Sequence, residues 1–458
     1  MNQGNKKAVV LTEGNIWKQL LLFSLPILFG NVFQQTYNMV DSVIVGRFVG
    51  DDALAAVGSS SNIIHLLMSA FFGISMGAGV VIAKYYGAKD WEGVSRGVHT
   101  MVAFGLTGGV LFTVLGEVLT PHILQWIGTP QEVMVESQIY FRIFFAGTIF
   151  SSMYNIGSGI LRAVGDSKRP LYYLIYACIL NVILDLLFVA VFDMGVAGAA
   201  WATVIAQGIK FLLIMRALTK KEEVYCVSWK KLRFHKAELK SIVSIGLPSG
   251  LQNSIVSLSN IVVQSSINSF GALALAGYGA YSKIDGFAMM PNFSFGTAMT
   301  TYAGQNVGAR AFDRVTKGAK QGTFIAVLTT SVLTGLILLF GKPLMGIFTD
   351  TAELVELSRQ LMGIIAAGYI AMAVTQTLSG VMRGAGDTVT PMWISLFTTV
   401  VVRVPIAYGL VYLTKSAQFP NGRQESVFIS LLCAWLLGAL VTTIFYLKGN
   451  WKKKALEY

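Results

Sequence analysis

Gln34, Tyr37, Asn38 and Asp41 interrupt a long apolar run at spacings of i, i+3, i+4 and i+7, which would put all four on one side of a helix. A carboxylate near the centre of a bilayer costs about 2.5–3.5 kcal/mol on insertion scales, so Asp41 needs a partner. The partner set expected from the sequence is Asn181 and Asp185, four residues apart, with Ala199 and Thr203 in the same relation on the next run. Oxygen atoms from three helices suit a proton or a small hard cation such as sodium. Two acids sharing a site then titrate as one unit. No HExxH, GxSxG or GxGD pattern supports an enzyme, and no GxxxxGK[ST] supports direct use of ATP. Cys178, Cys226 and Cys433 form no CxxC, and His65, His99, His122 and His235 have no ligand-like spacing. The expectation is therefore no cofactor, and no metal beyond sodium at the acid pair.

Those residues need helices that cross a membrane to hold them. The 458 residues are 54% apolar and 13% charged, with a mean hydropathy of +0.62, as in a protein whose surface faces lipid. Spanning runs are expected at 16–38, 53–77, 93–118, 131–156, 168–190, 195–218, 239–262, 274–299, 315–340, 353–379, 390–413 and 424–447. The fold class is thus an all-α polytopic membrane protein of twelve transmembrane helices. Lys and Arg concentrate in alternate loops, Lys84, Lys89, Arg162, Lys168, Arg310, Arg314 and Arg383 among them, so those loops and both termini are expected in the cytoplasm. The net charge of +12 follows that pattern, and no basic face with interleaved aromatics points to nucleic acid.

The charged connection at 219–240 divides the chain into expected six-helix halves, 1–218 and 241–458. SGILRAVGDSKRP from Ser158 and SGVMRGAGDTVTP from Ser379 repeat at an offset of 221, as do the glycines of YYGAKD and NVGARA. Equivalent loops of both halves fall on the cytoplasmic side, giving parallel repeats of the kind secondary transporters use. The loop motif itself is expected to be a tight turn that ends one helix and starts the next. The symmetry fails at the acids. Asp185 and Asn181 correspond to Ile406 and Val402, and Asp41 to Val263, so the acid set belongs to the first half alone.

In the second half, Lys283 and Asp285 lie near mid-membrane, as cavity-lining groups or in a fixed ion pair with a residue such as Arg403. Gln252, Asn253, Ser257, Asn260 and Gln264 line a cavity or join helices. Met289 with neighbouring aromatics suits an adaptable apolar pocket or plain core packing. Pro26 inside the first run implies a kink and a hinge near the acids.

NMVDSVIVGRFVGDDALAAVG, the paired loop motifs and the YYGAKD/NVGARA turns resemble the multidrug and toxic compound extrusion (MATE) family over essentially the whole chain. That resemblance implies a two-lobed, V-shaped exporter exchanging protons or sodium for organic, cationic amphipathic compounds. Likeness to the DinF-like branch places its cation site on Asp41, Asn181, Asp185, Ala199 and Thr203, with Gln34, Tyr140 and Asn155 lining that lobe's cavity. The NorM-like branch has a glutamate on the seventh helix, where LPSGLQNSIVSLS here offers Val256 or Ser257. The partners expected are a small organic substrate and the lipid bilayer of the cytoplasmic (inner) membrane, with the chain a monomer. The rival is a lipid-linked precursor flippase or an exporter of an endogenous metabolite. A flippase would need a cavity rich in cations for pyrophosphate, and few deep basic residues are available.

Overall fold

The computed structural model describes residues 9–49, 69, 71–126, 129, 131–346 and 351–456. Among them there are helices, turns and loops and no strand, as a bilayer demands, because a helix satisfies its backbone polar groups internally. The helices of the first repeat are α1 (Ile16–Phe48), α2 (71–87), α3 (Trp91–Trp126), α4 (Gln131–Ala146), α5 (Thr148–Ala163), α6 (Lys168–Asp185) and α7 (Gly195–Leu218). The second repeat holds α8 (Lys236–Asn268), α9 (Ala272–Gly308), α10 (Phe312–Leu339), a short α11 (Gly341–Gly346), α12 (Ala352–Gly384), α13 (Val389–Leu396), α14 (Arg403–Leu413), α15 (Glu425–Lys448) and a terminal α16 (Asn450–Leu456).

A π-helical stretch, Leu186–Val191, prolongs α6, and another, Phe397–Val402, joins α13 to α14. Eight described helices are long and apolar enough to cross a membrane, and the α4–α5 pair, bent by 45°, makes a ninth. The described part of α2 is short, while α8 and α9 have the length but carry polar residues. With α4–α5 and α13–α14 each one span, the fold is the expected all-α one of twelve transmembrane helices.

Several helices outrun the bounds expected from the sequence, α3, α8, α9 and α12 among them. The first helix runs to Phe48, since the apolar pattern continues past Asp41. The span expected at 131–156 is broken at Gly147, where a Cβ would stand 2.5 Å from Val204 Cγ2, and it continues to Ala163. Residues 53–68 and 70 of the second expected span lie outside the described residues.

Two compact units emerge. One comprises Met1–Val9 and Phe29–Gly246; the other comprises Val10–Leu28 and Leu247–Tyr458. The first helix of each repeat therefore changes unit beside a proline, after Pro26 in α1 and before Pro248 in α8. In the first unit, the connection after α7 is tied down on α3. Arg96 pairs with the buried Glu238 at 2.6 Å, Thr100 meets His235 at 3.1 Å, and the Ser228 N–H donates to His99 Nε2 at 3.0 Å. In the second unit, the Arg314 guanidinium donates to the carbonyls of Gly14 and Glu13, anchoring the approach to α1.

The repeated loop is a Schellman helix stop, closed in both copies by the same two bonds. Asp166 N–H reaches Leu161 O at 2.8 Å and Gly165 N–H reaches Arg162 O at 2.9 Å; Asp387 and Gly386 repeat this with Met382 and Arg383 at 2.9 Å each. Asp166 then accepts from the N–H groups of Lys168 and Arg169, both at 3.1 Å, and pairs with the Arg169 guanidinium at 2.9 Å. Burial pushes the Asp166 carboxyl up, against the pull of those donors. The YYGAKD and NVGARA turns have the same geometry, but the left-handed residues are Lys89 (φ 58°) and Arg310 (φ 56°), not the glycines that made the repeat visible.

Gly165 has φ +91°, and a Cβ there would lie 2.4 Å from the carbonyl oxygen of Val9. Gly449, after α15, has φ +75° with only ordinary contacts around a Cβ. Gly449→Ala should lose about 1–2 kcal/mol of stability from backbone strain alone. Gly165→Ala should lose more, seen as a larger drop in thermal midpoint of the purified protein; equal drops would mean that the Val9 contact yields freely.

Candidate functional site

Asp41 lies on α1, Asp185 ends the α-helical part of α6, and Thr203 lies two turns into α7. These helices run so that the three residues come to the same end of the first unit. An apolar cluster of Ile44, Val45, Tyr140, Val189, Val196, Ala199 and Ala200 lies beside them. Asp185 is 0% exposed and Asn181 1%. The carboxyls of Asp41 and Asp185 are within hydrogen-bonding reach of each other. Thr203 Oγ1 is shared, meeting the Tyr37 hydroxyl at 3.3 Å and accepting from Asn181 Nδ2 at 3.4 Å.

Both carboxylate oxygens of Asp185, Oδ1 of Asp41 and Oδ1 of Asn181 are buried with no donor among the described residues. Such orphaned acceptors are rare in folded proteins, and every one of them would be satisfied by a proton or a bound cation. No group of three or more His, Cys, Asp or Glu suited to a metal ion occurs among the described residues.

A small cavity of about 40 Å³ lies beside the site, lined by Gln34, Tyr37, Leu174, Ala177, Cys178, Asn181, Thr203, Ala206, Gln207 and Lys210, with neither acid in its wall. Asn181 and Thr203 thus border both the acid pair and the cavity. Of the other expected cavity residues, Gln34 reaches it while bonded to the exposed Asn38 at 3.2 Å. Tyr140 packs beside the acids, and Asn155 bonds back to Ser151 O of its own helix at 2.9 Å, away from the site.

The second unit spends its polar groups on packing. Gln252 donates to Ser395 at 2.8 Å, Ser259 to Thr399 O at 2.9 Å, and Arg403 to Asn260 at 2.7 Å, joining α8 to the α13–α14 span. Asn253 is exposed, as is Lys283. Asp285 is held by the hydroxyls of Tyr281 at 2.7 Å and Tyr369 at 2.8 Å; Arg403 acts on it electrostatically, but no ion pair joins them among the described residues. Met289 is part of the core, with Asn292 Nδ2 on its sulfur at 3.7 Å. Of its two readings, core packing is the one observed.

Sequence reasoning missed Lys210 and Gln207. The signal was present: with Thr203 they stand at i, i+4 and i+7, one face of an otherwise apolar span. The Lys210 ammonium lies 4.6 Å from the centre of the Tyr154 ring.

The MatE family model matches residues 26–187 and again 248–409, each match starting at the proline of a repeat's first helix. The chain is 32% identical over 452 residues to "Probable multidrug resistance protein YoeA" of Bacillus subtilis, covering 97% of this chain and 96% of that protein. It is 31% identical over 452 residues to "Probable multidrug resistance protein YpnP" of the same organism, covering 98% and 99%. Its fold superposes with a TM-score of 0.90, at 24% identity, covering 98% of this chain and 100% of the other, on a structure titled as the outward-facing conformation of a multidrug resistance MATE family transporter. With both halves of its duplication matched and relatives of this similarity along its whole length, the chain belongs to the MatE (MATE) family, whose members are transporters rather than enzymes.

Proposed function

We propose that this chain is a secondary active exporter that exchanges protons or sodium ions for organic compounds across the cytoplasmic membrane, with both termini inside. The observation that carries this reading is the set of unpaired oxygens on Asp41, Asp185 and Asn181, buried in the first unit, with Asn181 also lining a cavity. An ion there neutralises the acids and stabilises the arrangement in which α1, α6 and α7 close around it. Because Asn181 and Thr203 also face the cavity, an ion on one side and a substrate on the other act through the same side chains. One charge moving through 100 mV is worth about 2.3 kcal/mol, roughly a fortyfold gradient of a coupled solute.

The names of YoeA and YpnP support several organic compounds, rather than one metabolite, as the cargo. The cationic amphipathic compounds implied by the resemblance fit a cavity whose wall includes Tyr37, Asn181 and Thr203, the neighbours of the acids. Ala199, 1% exposed in the packed wall, completes the ion set as a backbone contributor. Pro26, beside the point where α1 changes unit, is the hinge of this scheme.

Export of rhodamine B ethyl ester, a fluorescent cation, should be driven in inverted vesicles by a pH or a sodium gradient imposed separately. Asp41→Asn and Asp185→Asn should each lower that rate at least about tenfold; variants that pump like the wild type would remove the acids from the coupling scheme. Asp285→Ala should instead cost about 2–3 kcal/mol of stability by stranding the Tyr281 and Tyr369 hydroxyls. Its ion dependence should be retained, and loss of gradient-driven export in a folded Asp285→Ala protein would move coupling to the second unit.

A further inference from the structure

The connection between the repeats leans on two histidines, and in each the hydrogen bonds fix where the proton sits. The backbone N–H of Ser228 donates to His99 Nε2 at 3.0 Å, so the ring proton is on Nδ1, which donates to Ser95 O at 2.7 Å. Arg233 Nε donates to His235 Nε2 at 3.0 Å, leaving Nδ1 to donate to Thr100 Oγ1 at 3.1 Å. Thr100 Oγ1 also accepts the His235 backbone N–H at 3.2 Å. Both imidazoles are therefore neutral in this arrangement. A proton added to either sets a donor against a donor, and the bond to Ser228 or to Arg233 is lost.

The surroundings give an added charge little compensation. His99 is 2% exposed, so an imidazolium there has almost no water to turn to. Glu238 and Glu92 are both already on the Arg96 guanidinium, at 2.6 and 3.1 Å. Tyr85 of α2 and Asp90 lie within electrostatic reach of that same arginine. Arg233 and Lys236 flank His235, and Lys230 and Lys231 stand on the turn before it. Of the other helices packed on α3, α5 brings Arg162, which faces Tyr154, and α4 meets α3 further along, around Thr113 and Leu124. Protonation thus adds positive charge to a neighbourhood already rich in cations.

The position of these bonds gives them mechanical weight. The foot of α8, residues 236–246, belongs to the first unit, and from Leu247 the helix belongs to the second. At its far end the foot is set against α2, where a Cβ on Gly246 would lie 2.6 Å from Ile74 Cα. At its near end it is held on α3 by the Arg96–Glu238 pair and by the two histidine bonds. Earlier in the connection Arg169 holds Tyr225 and Glu223, at 2.8 and 3.2 Å, with no histidine involved. The stretch that depends on neutral imidazoles is therefore 228–235, between two ion-paired anchors.

Resting on the orientation in the export reading above, which puts this connection in the cytoplasm, we propose that residues 228–235 form an acid-sensitive latch. It is docked on α3 while both imidazoles are neutral, and it lets go of the foot of α8 as the cytoplasm acidifies toward about pH 6. A helix with a loose foot transmits less of the first unit's movement, so release slows export. The latch shares no residue with Asp41 and Asp185 and regulates without carrying the coupling ion.

The test uses the full-length protein with Cys178, Cys226 and Cys433 replaced by Ala and a nitroxide attached through Lys230→Cys, an exposed position on the turn inside the latch. In phosphatidylcholine nanodiscs, the ratio of mobile to immobile label should rise at least about tenfold between about pH 8 and about pH 5, as loss of two buried hydrogen bonds allows. Gln keeps an acceptor near the Nε2 position and takes up no proton. His99→Gln and His235→Gln should each give a smaller rise, and the double variant none. A wild-type spectrum that ignores pH, or a rise that persists undiminished in these variants, overturns the latch; the single variants carry the test if the double one does not fold. Regulation is read in inverted vesicles, where the connection faces the bath and equal gradients are imposed on each protein. The double variant should export rhodamine B ethyl ester as fast as the wild type at about pH 7.5 and at least about threefold faster at about pH 5.5. Equal rates at both values overturn the regulatory step. Because the nitroxide reading needs neither gradient nor cargo, wild-type vesicles that fail to export count against the export reading and leave the latch to be decided by the spectra.

Discussion

Two carboxyl groups withdrawn from water into an apolar bundle, close enough to share a hydrogen bond, cannot both remain charged without a counter-ion. Much of the first unit follows from that constraint. The acids come from α1 and α6, with Thr203 of α7 beside them, so the three helices must meet there, and the apolar cluster around Val45, Val189 and Ala199 packs at that meeting place. The polar atoms nearest the pair are few. Thr203 Oγ1 is committed to Tyr37 and Asn181, and the remaining oxygens are left without donors. Immediately after Asp185 the helix changes to π geometry, a local widening that often accompanies function. An arrangement that is incomplete by itself and complete with one small ion can be biased by that ion.

The second repeat starts from the same plan and reaches a different end. Its counterpart of Asp185 is Ile406, and a guanidinium, Arg403, enters the bundle nearby and is met by Asn260, itself the counterpart of Asn38. Asp285 has two tyrosine hydroxyls, and Gln252 and Ser259 stitch α8 to its neighbour. Its π-helical stretch, Phe397–Val402, also falls about three turns earlier in the repeat than Leu186–Val191 does in the first. The second unit's one deep acid is thus satisfied by protein donors, whereas the oxygens of the first unit's pair are left open. Duplication supplied the frame, and divergence left the acid pair in one copy alone.

Much of this was legible in the sequence because membrane folding leaves strong traces. Apolar runs of spanning length marked the helices, and the offset of 221 marked the repeat. The four-residue spacings put Asn181 over Asp185 and Ala199 over Thr203. What escaped was signalled by geometry rather than composition. The break at Gly147 interrupts no hydrophobic pattern, since one residue of altered backbone leaves the apolar face continuous. Lys89 and Arg310 adopt positive φ beside glycines that looked the natural choice, because the stop is dictated by two hydrogen bonds and not by the residue alone. Asn155 and Met289 have the right types for a cavity, but whether a helix turns such a residue toward a void or toward a neighbour depends on rotation about its axis, which residue type does not encode.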